Sequence, residues 1–256
     1  KQGVAMGKII SVINEKGGVG KSSIIFNCGW ELAKKYKILF IDLDGQRANL
    51  SWFAGIEDRE DRPTMLNVMA GRKEITECIV SIKENLDIVP ANSSVIAMSQ
   101  IGSARKMKSA MKKIKDLYDY IFIDVNPDPT LVHTLALTSA DYLIIPMLPD
   151  VASLEGNKGI AEDVLDVQEV GNPNLKVLGI LFNKNSDRTL LSRQVSEIAE
   201  EMADQLETTV FNTKIRNAVS LSECPSFHEG ITDYASTSAA ADDIRNLCKE
   251  IEERTA

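Results

Sequence analysis

The stretch Lys16-Gly17-Gly18-Val19-Gly20-Lys21-Ser22-Ser23 lies between an apolar run, Lys8 to Ile13 (KIISVI), and a segment from Ser22 to Lys34 (SSIIFNCGWELAK). In that second segment Ile25, Cys28, Gly29 and Leu32 recur at helical spacing. A strand, a glycine-rich turn and a helix in this order read as a phosphate-binding loop rather than a plain turn. Consecutive backbone N–H groups must line a concavity, which needs glycine where a Cβ would clash or φ must be positive. Gly17, Gly18 and Gly20 meet that need, with Val19 between them. Lys21 is then placed to reach the β- and γ-phosphates, and the Ser22 hydroxyl to ligate Mg²⁺. The helix that follows aims its positive end at the anion. The usual spelling G-x-x-x-x-G-K-S/T is not met, because Glu15 stands at the first glycine position. The result is a variant with a second lysine, Lys16.

The rest of the chain supplies a sheet for this loop. At 256 residues and 44% hydrophobic content it can bury the core of one large α/β domain. We assign that domain to residues 6–256 and read Lys1 to Ala5 as a leftover of an expression tag. Short β-branched runs recur at Ile9 to Ile13, Ile38 to Leu43, Leu86 to Val89, Tyr120 to Val125, Tyr142 to Pro146 and Val177 to Phe182. Their near-continuous apolar character predicts strands buried on both faces, hence a mostly parallel twisted β-sheet with helices on both sides. Ligands of such sheets bind beyond the carboxyl ends of the strands. There the chain places Asp42 and Asp44 after one run and Asp124 after another. Carboxylates at those points can hold Mg²⁺, directly or through its waters, and can orient an attacking water. Aspartate also ends strands and caps helices without further function, but three of them at two strand ends beside a phosphate loop favour the metal and water reading.

Composition narrows the function further. A net charge of −8 argues against constitutive coating of nucleic acid. Apolar runs such as Tyr142 to Leu148 are too short to span a bilayer, and no signal segment opens the chain, so a cytoplasmic protein is expected. The four cysteines lack metal-site spacing and read as reduced, mostly buried thiols.

With these pieces in place the sequence resembles the ParA/MinD family of deviant-Walker ATPases, and within it the ParA branch of partition proteins, over Gly7 to Glu253. The resemblance rests on KGGVGKSS at Lys16, FIDLDGQRANLS from Phe40 to Ser51, YDYIFID ending at Asp124, LFNKNSDR from Leu181 to Arg188, and LSECPS from Leu221 to Ser226. It implies a P-loop NTPase fold of the SIMIBI type, with ATP and Mg²⁺ as cofactors and weak, partner-stimulated hydrolysis. Lys16 matches the signature lysine that reaches the partner's nucleotide in an ATP-bound sandwich homodimer. Lys21, Ser22 and Ser23 match phosphate and Mg²⁺ contacts. Asp44 matches the residue that positions the hydrolytic water, and Asp42 and Asp124 match metal-side acids. Asn183 falls where relatives recognise adenine, and the loop Thr213 to Asn217, with Arg216, covers the other side of the base. The partners implied are nonspecific double-stranded DNA and a ParB-like centromere-binding protein, with a nucleoid-associated location.

Departures from the family pattern are informative. The Walker B aspartate is usually followed by two adjacent prolines, whereas here Asn126, Pro127, Asp128 and Pro129 follow. A carboxylate at 128 would repel the nucleotide if it faced inward. The proline expected after Ile215 is Arg216, and the arginine often found near Ser220 is absent. Candidate DNA contacts are Arg188, which has the best family match, Lys184, Arg193 and Lys214. A basic stretch from Arg105 to Lys115 reads as the solvated face of an amphipathic helix. The C-terminal stripe Ile244, Leu247, Cys248 and Ile251 is flanked mostly by acids, which anionic lipid would repel, so no membrane partner is expected. Two alternatives stay open: a MinD-like or cluster-positioning ATPase that does not bind DNA, and a nucleotide-dependent regulator with little hydrolysis.

Overall fold

A β-strand side chain alternates between faces, and here both faces of each central strand are apolar. On β5 (Tyr120–Asp124), Ile121 and Ile123 enter one core layer while Tyr120 and Phe122 enter the other. The same alternation runs through β1 (Lys8–Val12), β2 (Ile38–Asp42) and β6 (Tyr142–Met147). The sheet is completed by β3 (Val80–Lys83), β4 (Leu86–Val89) and β7 (Lys176–Phe182). In this computed structural model, which describes residues 7–128, 131–150, 157–185 and 191–256, the order is β3-β4-β2-β5-β1-β6-β7. Every neighbouring pair is parallel except β3 with β4. Lys1 to Ala5 and Arg188 lie outside the described residues, as does the side chain of Arg193.

Helices cover both faces, as expected. One layer includes the helices Ala104–Ile114 and Leu131–Ser139; the other is built on α1 (Lys21–Leu32) and the C-terminal helix Ala239–Arg254. Gly29 lets α1 approach the sheet, since a Cβ there would overlap the Phe40 ring. Ile244, Leu247, Cys248 and Ile251 are buried in the second layer. The carboxylates of that helix face neighbours: Glu250 accepts from the backbone N–H groups of Asn212 (2.9 Å) and Thr213 (3.0 Å), and Glu252 from Lys35 (2.7 Å). The apolar stripe is therefore spent on the core. No helix among the described residues is long and apolar enough to cross a membrane.

The helix Ala104–Ile114 buries Met107, Ala110, Met111 and Ile114, as its pattern predicts. Several of its charges are engaged locally: Lys106 donates to the Met69 carbonyl, Lys108 to the Gly171 carbonyl, and Lys113 pairs with Glu74. All four cysteines are free and buried.

Candidate functional site

β1 and β2 part from each other around β5, and the loops that leave their carboxyl ends meet over one cavity of about 250 Å³. The glycine-rich loop forms one wall. Gly18 and Gly20 take φ values of 78° and 94°, in the left-handed region that glycine enters without Cβ strain. Gly20 caps α1 without a side chain, so the first amide groups of the helix face the cavity. A side chain at Gly20 would also overlap the Asn183 amide.

Asn14, just ahead of the loop, pins both of its ends. Its Nδ2 donates to the Pro146 carbonyl (2.7 Å), its Oδ1 accepts from Lys16 N (2.7 Å), and its carbonyl accepts from Lys21 Nζ (2.9 Å). Lys21 is buried, and that burial lowers its pKa against the opposing pull of Asp124 and Asp44. Lys16 differs. Its ammonium is partly exposed and pairs with Asp150 Oδ1 at 2.8 Å. The two lysines are thus divided, one inside the loop and one at its rim.

Asp42 and Asp124 face each other across the β2–β5 register, and both are fully buried. Burial raises Asp124 to about 8, with the Asp42 charge adding to it, and raises Asp42 to about 6. Their hydrogen bonding separates their roles. Asp124 Oδ2 accepts from Ser22 Oγ at 2.5 Å, while its Oδ1 is buried without a partner among the described residues. A buried carboxylate oxygen left open beside a hydroxyl, at the mouth of a phosphate loop, fits a hydrated Mg²⁺ that takes most of its ligands from water and phosphate. Among the described residues no cluster of three or more acidic, histidine or cysteine side chains could hold a metal by itself. Asp42 instead gives both oxygens to protein donors: Oδ2 to Ser51 N (2.8 Å) and Ser51 Oγ (2.7 Å), Oδ1 to Asp44 N (3.0 Å). Of the three expected metal-side groups, Ser22 and Asp124 therefore meet, and Asp42 holds the loop that carries Asp44.

Asp44 lines the cavity and is almost wholly buried. Its Oδ1 accepts from Gln46 N (3.0 Å) and Arg47 N (3.1 Å), which fixes the carboxylate toward the phosphate loop. Asp128 is exposed and accepts from Gln46 Nε2 at 2.7 Å. It ties the loop after β5 to the loop after β2 at the surface. Asn126 carries a second buried oxygen with no partner among the described residues, and its carbonyl meets the buried His133 ring at 2.6 Å. Burial lowers the His133 pKa, which favours the neutral ring.

On the far wall, Asn183 Nδ2 donates to the Val19 carbonyl (2.7 Å) and Lys184 Nζ to the Gly18 carbonyl (2.9 Å). Lys184, expected among DNA contacts, thus sits on the phosphate loop with a left-handed φ of 52°. Lys214 is exposed and lies over the Phe182 ring at 5.6 Å, away from that cavity. Arg216 lines the cavity and is clamped by Asp243. Reading the sequence alone missed Asn14, Ser51, Asp150 and Asp243. Asn14, a polar residue directly after an apolar strand run, is the one among them with a local signal.

The chain is similar to known proteins over most of its length. The family model described as an AAA domain matches residues 7–177. Sporulation initiation inhibitor protein Soj of Bacillus subtilis is 33% identical over 253 residues, covering 96% of this chain and 98% of its own length. The virulence plasmid ParA family protein pGP5-D of Chlamydia psittaci is 31% identical, covering 96% and 95%. Among solved structures, apo McdA of Cyanothece superposes with a TM-score of 0.84 at 21% identity, covering 97% of this chain and 99% of that one, a likeness of fold.

Proposed function

Because the chain belongs to the ParA/MinD family of P-loop ATPases, we propose that it is a ParA-type segregation ATPase. In this reading it dimerises on ATP, binds nonspecific DNA in that state, and is released by hydrolysis that a ParB-like partner stimulates. The observation that carries the reading is the division between a buried Lys21 and a rim lysine, Lys16, on one phosphate loop. A lysine inside serves the protein's own nucleotide, and a lysine at the rim is positioned to cross to a second subunit. Full-length similarity to Soj and to a plasmid ParA family protein supports the segregation role. Such a protein works in the cytoplasm on the nucleoid.

The chemistry assigned to the residues follows from their environments. Backbone amides from Gly17 to Ser22 cradle the phosphates, and Lys21 stabilises charge that develops on the γ-phosphoryl group. Ser22 and Asp124 would hold Mg²⁺, which would supply neutralisation of the phosphate charge. Asp44, fixed by two amides, orients water for in-line attack. Asn183 and Arg216 face the nucleoside end, and Arg188, Arg193, Lys184 and Lys214 are the DNA candidates.

The test is binding to nonspecific duplex DNA with ATP, ADP or no nucleotide, at two salt concentrations, with sedimentation in parallel. Binding confined to the ATP-bound dimer and weakened by salt supports the proposal. ATP-dependent dimers that ignore DNA move the assignment to cluster positioning; the absence of the arginine often found near Ser220, one expected DNA contact, is the observation on that side.

A further inference from the structure

Between Ala104 and Lys115 the chain carries six cations, Arg105, Lys106, Lys108, Lys112, Lys113 and Lys115, and no acid. In a protein of net charge −8 this is a local reversal of sign. Side chains seven apart on a helix stand nearly in line. With Met107, Ala110, Met111 and Ile114 facing the core, the cations fall into three rows on the remaining surface: Lys106 with Lys113, Arg105 with Lys112 outermost, and Lys108 with Lys115. Two of them are neutralised, Lys113 by Glu74 and Lys115 by Asp141 (2.6 Å). Lys106 and Lys108 reach the carbonyl oxygens of Met69 (2.6 Å) and Gly171 (2.7 Å), which hold each ammonium in place and leave its charge uncompensated. Among the described residues no carboxylate pairs with Arg105 or Lys112. Arg72 flanks the helix across a cleft of about 340 Å³ that Lys106 and Lys113 also line, and Lys73 beside it is paired with Glu77 (2.9 Å). Arg72, Arg105, Lys106, Lys108 and Lys112 therefore share one surface with no carboxylate to balance them.

Such a surface is complementary to a polyanion. Arg105 and Lys112 stand about 10 Å apart along the helix axis, a length over which duplex DNA carries about six phosphates. An anionic bilayer is the poorer occupant, because Met107, Met111 and Ile114 are buried and leave no long apolar side chain of this helix to insert. Two of the cations expected elsewhere are already engaged: Lys184 donates to the Gly18 carbonyl, and Lys214 lies over the Phe182 ring. We propose that the exposed face of the helix Ala104–Ile114, with Arg72 at its flank, is a contact surface for the phosphate backbone of duplex DNA. The inference rests on the DNA reading above and places the contact on the layer opposite α1, away from the nucleotide cavity. Nucleotide does not build this surface. ATP acts on it by bringing two copies to one duplex, so a face that holds DNA weakly alone holds it tightly in pairs.

The experiment measures affinity for nonspecific duplex DNA, in ATP and across a range of salt, for the full chain and for a variant carrying both Arg105→Ala and Lys112→Ala. Both positions are exposed, and alanine favours helix, so the variant should fold, as melting temperature reports. Its DNA affinity should fall by roughly tenfold or more at moderate salt, and the slope of log affinity against log salt should become shallower by about 0.9 for each cation removed. ATP turnover and ATP-induced dimers in sedimentation should not change. Lys249→Ala, which removes an exposed cation from the C-terminal helix on the opposite layer, should leave the slope as it was. Affinity and slope unchanged in the double variant, or an equal loss in Lys249→Ala, overturns the inference alone. Tighter binding of the unaltered chain to phosphatidylglycerol vesicles than to DNA, lost in the double variant, assigns the face to a membrane and also overturns it. Failure of the unaltered ATP-bound chain to bind DNA at low salt overturns the DNA reading and this inference with it.

Discussion

Replacing Ser51 with alanine removes one oxygen that serves two buried partners. Ser51 Oγ donates to Asp42 Oδ2 at 2.7 Å and accepts from Ala91 N at 2.9 Å, and Ser51 is 2% exposed. A hydrogen bond to a charged group is worth about 1.5–3 kcal/mol, and an orphaned buried N–H costs about 1–3 kcal/mol, so Ser51→Ala should cost about 3–5 kcal/mol at pH 8. The pH dependence has a definite sign. Asp42 is raised by burial from 3.8 to about 6 in the folded protein, so the folded state holds its proton longer than the unfolded chain does. Its contribution to stability is greatest below pH 3.8 and is lost as pH rises through about 6. Without Ser51 the ionised form loses a donor and the Asp42 pKa rises further, so the variant keeps losing stability above pH 6 after the unaltered protein has levelled. At pH 5, where Asp42 is mostly protonated, the cost should fall to about 2 kcal/mol. Asp124 is raised by burial and by the Asp42 charge, so the same pair of measurements in an Asp124→Asn background removes its coupled titration from the difference. Urea denaturation of nucleotide-free protein at pH 5 and pH 8 reads both values. A cost below about 1 kcal/mol at pH 8, or a larger cost at pH 5 than at pH 8, refutes the argument that Ser51 stabilises a buried carboxylate.

The remaining predictions probe other parts of the molecule. Lys16→Ala, which also removes the Asp150 ion pair, should leave ATP affinity within about threefold while abolishing ATP-induced dimers in sedimentation; dimers that persist contradict the rim-lysine role. Asp44→Asn keeps an acceptor for the Gln46 and Arg47 amides but should lower ATP turnover by about 10²-fold with little change in ATP affinity, as single-turnover assays would read. Burial pushes Glu250 up, but the Asn212 and Thr213 amides and Arg254 hold it below its ordinary value, so its stabilisation is present above pH 4.5 and lost as pH falls below. Glu250→Gln should therefore cost about 1.5–3 kcal/mol at pH 7 and progressively less on acidification below pH 4.5, measured as a shrinking difference in urea midpoint.

The sheet was legible because its central strands are buried on both faces, and continuous apolar runs such as Ile38 to Ile41 have few other uses. β3 was missed for the converse reason: Val80–Lys83 is a half-exposed, antiparallel edge strand with Ser81 and Lys83 in it, and it lacks that signature. The phosphate loop could be read because its function is carried by main-chain geometry, and glycine is the residue that records such geometry in sequence. The roles of the acids were less legible. Asp42 and Asp124 look alike in sequence, and only the arrival of Ser51 at one and Ser22 at the other distinguishes them. The Arg216–Asp243 clamp joins β7's return segment to the C-terminal helix, a long-range pairing with no local mark. Lys184 reads in sequence as a candidate DNA contact, and nothing local announces that its ammonium donates to the Gly18 carbonyl from a left-handed backbone.

The strand order also constrains when this site can exist during synthesis. β1 is made first yet lies in the middle of the sheet, where its partners are β5 and β6 rather than the β2 that follows it. Lys8 must wait for Tyr120 and Ile10 for Tyr142, a delay of roughly a hundred residues or on the order of ten seconds on the ribosome. Asn14 cannot anchor the loop until Pro146 emerges, and Asn183 cannot close it until later still. A nascent chain that carries the complete glycine-rich motif therefore has no strand to seat it and no rear wall to shape it. ATP can act as a folding ligand only after β7 and Asn183 have been made, so chains cut short upstream of β7 should be discarded as unfolded polymer and not persist as partial competitors for nucleotide.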